Sequence, residues 1–258
     1  MTTATLYLVP TPLDHGCDSL TPLDQVLPLG TIEAAASLAH WIGENAKSTR
    51  AFLKRVADVA PLALPIQAQQ ITELPHAAHK KGDHAGSSGA QFDARALLAP
   101  ALQGHDIGLI SEAGMPAVAD PGSSVVRAAH ELNLRVVPLV GPVSILLALA
   151  ASGLNGQRFA FAGYLPQDQA ARVQQLKQLE ARALQTGETQ LFIETPYRNA
   201  ALMQSMLASL SATTRLTACS GVTLPQASIV TRTIAQWRKP SALASWHARL
   251  PAVYAIGV

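Results

Sequence analysis

The segment Gly108–Gly122, GLISEAGMPAVADPG, runs from a buried apolar stretch straight into a turn built on Gly114, Pro116, Pro121 and Gly122. A turn of that composition leaves backbone amides and carbonyls exposed beyond a strand's carboxyl end, where open α/β sheets bind ligands. It contains no G-x-x-x-x-G-K-[ST] and so is not a nucleotide P-loop. A second turn, Pro138–Ser144 (PLVGPVS), also leaves an apolar strand and opens an apolar helix. Two such turns on neighbouring parallel strands make one crevice. A tight strand-to-helix connection without a ligand satisfies the same spacing, and Asp120 before Pro121 is expected to set a turn. Ser144, at a helix start, suits an N-cap as well as it suits a ligand contact.

Other reactive side chains point to less. His76, His79 and His84 fall in HAAHKKGDHAGSS (His76–Ser88), a polar stretch rich in Gly and Ser that reads as a loop. Without neighbouring cysteines or a rigid second shell, no metal is expected there. Cys17 and Cys219 are too few for a disulfide framework or a four-ligand zinc site, and they suit a reducing, cytoplasmic compartment. The 258 residues carry 19 Lys and Arg against 17 Asp and Glu, with 14% charged and 48% hydrophobic residues. That balance excludes a disordered chain and a general polyelectrolyte binder, so any contact with nucleic acid must be local. Lys47, Arg50, Lys54 and Arg55 lie at helical spacing, as a solvated face or, with Lys80 and Lys81, as an RNA-facing stripe.

The elements that must position these residues follow from periodicity. Thr5–Val9 reads as a strand stopped by Pro10, Thr11 and Pro12. Ile32–Val59 carries helical spacing broken near Gly43, and Gly89–Leu102 is a second helical stretch. Ile107–Ile110 is a strand, Ser123–Leu132 a helix with serine available as N-cap, and Arg135–Leu139 a strand. Phe159–Tyr164, a polar helix from about Gln167 to Leu184, the strand Gln190–Ile193, the helix Arg198–Leu210 and strands at Leu216–Cys219, Ile229–Ile234 and Val253–Val258 follow. Strands alternating with helices define an α/β fold with a substantially parallel sheet. Turn residues at Ser152–Gln157 place a boundary between domains 1–153 and 154–258. Val136–Ala151, the most apolar stretch, is interrupted by Pro138, Gly141 and Pro142 and reads as strand, turn and core helix rather than a membrane span. Met1–Val9 lacks the features of a secretory signal. Trp41, Phe52, Phe159 and Phe161 are expected in the core or lining a cleft.

Four blocks in register, SEAGMPAVADPG, VVPLVGPVSILLALAASGL, RFAFAGYLP and FIETPYR, resemble the tetrapyrrole methylase superfamily, in particular a branch that acts on ribosomal RNA. YLVPTPL, WIGENAKSTRAFLKRV and TLPQASIVTRTIAQ extend the resemblance over most of the chain. In the second of these Glu44, Thr49 and Arg50 match the E-D-T-R-x-T-R pattern, and Asn45, Ala46 and Lys47 depart from it. Met115, Val143, Ser220 and Gly221 also stand where the branch usually has other residues.

The resemblance implies a two-domain α/β fold with a mixed sheet in each domain, a homodimer, and S-adenosylmethionine bound in the cleft between domains. It implies cofactor contacts from Pro10, Ser111, Glu112, Ala113, Gly114, Val118, Val143 and Ser144, with the adenine side from Glu194, Thr195, Cys219 and Ser220. The implied reaction is methylation of a ribose 2′-oxygen in small-subunit ribosomal RNA. It moves a methyl group in line and needs alignment in a dry site, with no metal and no covalent nucleophile. Glu44 is the candidate base for the 2′-hydroxyl and Arg50 the candidate phosphate contact, unless the two form an ion pair. A tetrapyrrole-like small-molecule acceptor, or a non-catalytic relative that keeps the fold, are the alternatives.

Overall fold

The computed structural model describes residues 4–75 and 92–258, which form two compact units. The His76–Ser88 loop, with its three histidines and Lys80 and Lys81, lies outside the described residues.

The first unit holds Leu20–Val143 and the chain's start to Gly16. Its strands are β1 (Thr5–Val9), β2 (His40–Gly43), β3 (Gln70–Glu73), β4 (Ile107–Ile110) and β5 (Arg135–Pro138), in the order β3-β2-β4-β1-β5. All four pairings are parallel. A parallel sheet needs both faces covered, and strand alternation supplies two apolar faces. Trp41, Val9 and Ile110 join one core with Ile32 of α1 (Leu29–Ser37) and Phe52, Leu53 and Val56 of α2 (Ala46–Ala57). Leu6, Ile42, Ile107 and Leu109 join the other with Val125, Ala128 and Ala129 of α3 (Ser123–Glu131).

Two strands were not anticipated. Ile32–Val59, read as a helical stretch with one break, is α1, then β2, then α2, because a four-residue apolar run in HWIG carries too little periodicity to separate strand from helix. β3 is polar and mostly exposed, and it shows itself only by pairing at the sheet edge. Asn45 explains where α2 starts: its side chain accepts from the Lys47 and Ser48 amides at 2.8 and 3.4 Å. At α3 the N-cap is Gly122, with φ +131°, rather than a serine. Leu98–Leu102 belongs to short helical turns, not to a long helix.

The second unit holds Ser144–Val258 and Cys17–Ser19. The units thus divide between Val143 and Ser144, one helix earlier than Ser152–Gln157. The reason is α4 (Ser144–Ser152), whose buried Ile145, Ala148 and Leu149 lie on the second unit's sheet. That sheet runs β6 (Phe159–Tyr164), β7 (Thr189–Glu194), β10 (Ala252–Gly257), β8 (Arg215–Ser220), β9 (Ser228–Thr233) and is mixed, with β6 parallel to β7 and the remaining pairs antiparallel. Its opposite face buries Phe192, Leu216 and Tyr254 against Leu176 of α5 (Gln169–Thr186) and Leu202, Met203 and Met206 of α6 (Asn199–Ser209). Asp168 caps the start of α5, and Gly187, at φ +67°, ends it. No helix among the described residues is long and apolar enough to cross a membrane.

Candidate active site

In the first sheet β1 and β4 are neighbours, yet the helices that follow them pack on opposite faces, α1 in one core and α3 in the other. The chain therefore parts at the carboxyl ends of these two strands, which opens a crevice there. Thr11, just beyond β1, and Gly114, just beyond β4, bridge its mouth. The Thr11 amide donates to the Gly114 carbonyl at 2.9 Å, and the Gly114 amide donates back to Thr11 at 3.1 Å. The Thr11 hydroxyl also donates to the Ser111 carbonyl at 3.2 Å. Gly114 sits at φ +82°, and a Cβ on it would fall 3.0 Å from Leu13 and 3.4 Å from the Pro142 carbonyl. Gly141 is packed so closely on Pro10 that a Cβ would come within 2.3 Å of its ring. The turns after β1, β4 and β5 are thereby held together, and they bring Pro10, Ser111, Gly114 and the approach to Val143 into one place.

Beyond Gly114 the loop is strained. Ala117 and Ala119 both have left-handed φ, +65° and +64°, a conformation costly to residues with a Cβ and concentrated at functional sites. Val118 between them is exposed. The strain delivers Asp120 back toward the strand ends, where its carboxyl hydrogen-bonds the buried Ser111 side chain. Burial, then the charges of Glu44 and Glu112, push that carboxyl up to about 7, against the opposing hydrogen bond from Ser111. The composition of ADPG indicated only a turn; what makes Asp120 a titrating group is its company.

Glu44 follows β2 and its Oε1 accepts from the Glu112 amide at 3.3 Å. Glu112 follows β4 and is 3.5 Å from His15 Nε2. Glu44, Glu112 and Asp120 thus gather at the carboxyl ends of the sheet, while Ala113 is half-buried between Glu112 and Gly114. Arg50 points elsewhere: it is exposed on α2 and donates to the Ala46 carbonyl of its own helix at 3.4 Å. The basic stripe is also shorter than its spacing suggested, because Arg55 forms a two-point ion pair with Asp14 at 3.0 Å and donates to the Thr21 carbonyl.

In the second unit, Ala252 of β10 is paired with Glu194 on one side and Ser220 on the other, so Glu194, Cys219 and Ser220 collect at one end of the sheet. Glu194 Oε1 accepts from the Thr195 amide at 2.7 Å and from Arg198. Cys219 is buried, and burial pushes its thiol up to about 11, which makes it core filling rather than a nucleophile. Ser220 is buried with no hydrogen-bond partner for its hydroxyl among the described residues. Ser144 is the first residue of α4. Trp41 and Phe52 lie in the core as expected, whereas Phe159 and Phe161 are exposed on the edge strand β6.

A parallel-sheet unit followed by a mixed-sheet unit is a fold shared with proteins of known structure. Diphthine synthase superimposes with a TM-score of 0.57 at 12% identity, covering 98% of this chain and 90% of that one. The methyltransferase CobJ gives 0.54 at 17%, covering 98% and 93%. At such identities the likeness establishes the fold. The sequence model of the tetrapyrrole (corrin/porphyrin) methylases matches residues 32–237, and the chain belongs to that family. It is 32% identical over 205 residues to the ribosomal RNA small subunit methyltransferase I of Escherichia coli O157:H7, covering 80% of this chain and 60% of that protein. It is 30% identical over 206 residues to the protein of that name from Micromonospora olivasterospora, covering 80% and 56%. The match therefore spans little more than half the length of these relatives.

Proposed function

We propose that this chain is an S-adenosylmethionine-dependent methyltransferase acting on a ribose 2′-oxygen of small-subunit ribosomal RNA. The observation that carries the reading is the stapled crevice at β1 and β4, lined by carboxyls, in a member of a methylase family. The relatives named above support the choice of acceptor.

The residues present suit the cofactor. Gly114, at φ +82°, lets the loop pack closely on Leu13 and the Pro142 carbonyl, Met115 and Val118 offer apolar surface, and the Glu44 and Glu112 carboxylates set a negative potential suited to a cationic sulfonium. When bound, S-adenosylmethionine supplies an electrophilic methyl group. The backbone of Ser111–Gly114 and Val118, with Pro10, Val143 and Ser144, holds it by this reading. By the family resemblance alone, Glu194, Thr195, Cys219 and Ser220 would take the adenine side.

Asp120 is the group assigned to accept the 2′-hydroxyl proton, because a carboxyl near 7 is matched to proton transfer at neutral pH. Glu44 acts through it: it fixes the Glu112 amide and its charge raises the proton affinity of Asp120. Arg50, exposed on α2, is assigned to an RNA phosphate. A cytoplasmic homodimer working on the small ribosomal subunit completes the reading, with the exposed Phe159 and Phe161 on the edge of the second sheet as a surface for the second copy.

Calorimetric titration with S-adenosylmethionine and S-adenosylhomocysteine tests the cofactor, and methyl transfer to unmodified small subunits against uroporphyrinogen-type acceptors tests the substrate. Saturable binding at one site per chain with transfer to RNA is expected. Absence of binding to well-folded protein overturns the enzyme reading in favour of a non-catalytic relative, and transfer only to the small molecule overturns the acceptor.

A further inference from the structure

At the carboxyl ends of the parallel strands β6 and β7, Tyr164 and Tyr197 are 54% and 85% exposed. They line a groove of about 470 Å³ with Leu165, Gln167, Thr195 and Arg198. Tyrosine rings are seldom left in water to this degree, since each carries a large apolar surface. Here the backbone holds them out.

The pairing of β6 with β7 slips between Phe161 and Tyr164, with Gly163 at φ +71° inside the irregularity. A bulge at a strand end re-aims the side chain that follows it, in this case Tyr164. Tyr197 sits in the turn TPYR, whose two flanks are gripped by one buried carboxylate. Glu194 accepts from the Thr195 amide at 2.7 Å and hydroxyl at 3.3 Å, and pairs with Arg198 at 2.6 Å. The opposite wall is fixed by Arg172, which donates to the Pro166 and Gln167 carbonyls at 3.3 and 2.8 Å and to Ser205 at 3.0 Å. The Arg198 guanidinium lies 5.9 Å from the centre of the Tyr164 ring. Both walls are therefore pre-organised, so a ligand pays little ordering entropy on entering.

The chemistry of the groove selects its occupant. The guanidinium that lines it, Arg198, is paired with Glu194, so the groove offers ring faces and the Gln167 amide rather than phosphate contacts. Ring faces beside an amide donor and acceptor suit a nucleobase, stacked on its face and hydrogen-bonded at its edge. A cofactor site encloses most of its ligand, whereas rings this exposed suit a polymer that arrives from solvent and continues past the groove. We propose that this groove takes an unpaired nucleobase of the RNA acceptor, stacked on Tyr164 and Tyr197, and that it thereby anchors the strand to be methylated. The inference rests on the reading of the chain as an RNA methyltransferase.

The test titrates the full chain with a dye-labelled single-stranded RNA oligonucleotide by fluorescence anisotropy at low and moderate salt, and in parallel with S-adenosylmethionine by calorimetry. Tyr197→Ala and Tyr164→Ala should each weaken RNA binding by roughly 5- to 150-fold, the range for loss of one stacked base. The slope of log affinity against log salt should stay unchanged, because no phosphate contact is lost. Tyr197→Phe should keep the affinity, and cofactor affinity should not move in any variant. RNA binding by the alanine variants equal to the parent's, in a parent that binds and methylates RNA, overturns this inference alone. Loss of cofactor affinity with RNA binding intact also overturns it and assigns the groove to adenine. A parent that neither binds nor methylates RNA overturns the wider reading together with this one.

Discussion

The amide of Glu112 donates to the side chain of Glu44 at 3.3 Å, which ties the carboxyl end of β4 to that of β2 across 68 positions of sequence. One carboxylate thereby sets the start of the loop that bends back to deliver Asp120, and its charge raises the proton affinity of Asp120. One side chain thus touches both the geometry of the loop and, after burial, the titration of the acid.

Rate should follow the ionisation of Asp120. The methyl-transfer rate is expected to rise with pH through about 7, where this carboxyl loses its proton. Asp120→Asn should lower turnover by about 10²–10⁴-fold while cofactor affinity is retained. Glu44→Gln removes a like charge, which lowers the raised Asp120 value, so the acid limb of the rate profile should move to lower pH. A profile unmoved in Glu44→Gln contradicts the coupling, and full turnover in Asp120→Asn removes Asp120 as the base.

Stability should carry the same signature. The folded chain holds the Asp120 proton up to about 7, whereas a free carboxyl loses it near 3.8. The favourable contribution is therefore complete below the ordinary value and is lost as pH rises through the raised one. Asp120→Asn, neutral throughout, should gain stability relative to the parent between about pH 5 and pH 8, by about 2–4 kcal/mol at most. Urea denaturation at the two pH values reads the difference, and an equal offset at both is the contrary result.

Gly114→Trp should disrupt the loop packing at the β1–β4 staple. The Cβ already meets Leu13 at 3.0 Å and the Pro142 carbonyl at 3.4 Å, and φ is +82°, so a large side chain has to push the staple's loops apart. More than about tenfold weaker binding of S-adenosylmethionine is expected, equivalent to over 1.4 kcal/mol. Circular dichroism confirms folding, and unchanged affinity in folded protein sinks the assignment.

Arg50 and Arg55 should separate cleanly although they share α2. Arg50→Ala is expected to leave stability and cofactor binding alone and to lower the salt slope of RNA binding by about one. Asp14→Ala strands the partly buried Arg55, whose two bonds to Asp14 are 3.0 Å each, and should destabilise the fold by about 3 kcal/mol. Thermal denaturation and RNA titration of both variants give the comparison.

The sequence by itself determined the α/β class, the strand-turn-helix units at Ile107–Ser123 and Arg135–Ser152, and the glycine-bearing turns that make a crevice, because periodicity and turn chemistry are local properties. Four motif blocks in register were enough to mark the family. Tertiary structure decided the rest. HWIG became a strand by pairing with β3 and β4, and a four-residue run cannot announce a partner. Ser144–Ser152 joined the second unit because of the surface its apolar face found there. Asp120 changed most: the DPG sequence specifies a turn, but only burial beside Ser111, with Glu44 and Glu112 brought in from distant strand ends, turns that carboxyl into an acid near 7. Proton affinity depends on neighbours in space, and those are fixed by the order of the strands rather than by spacing along the chain.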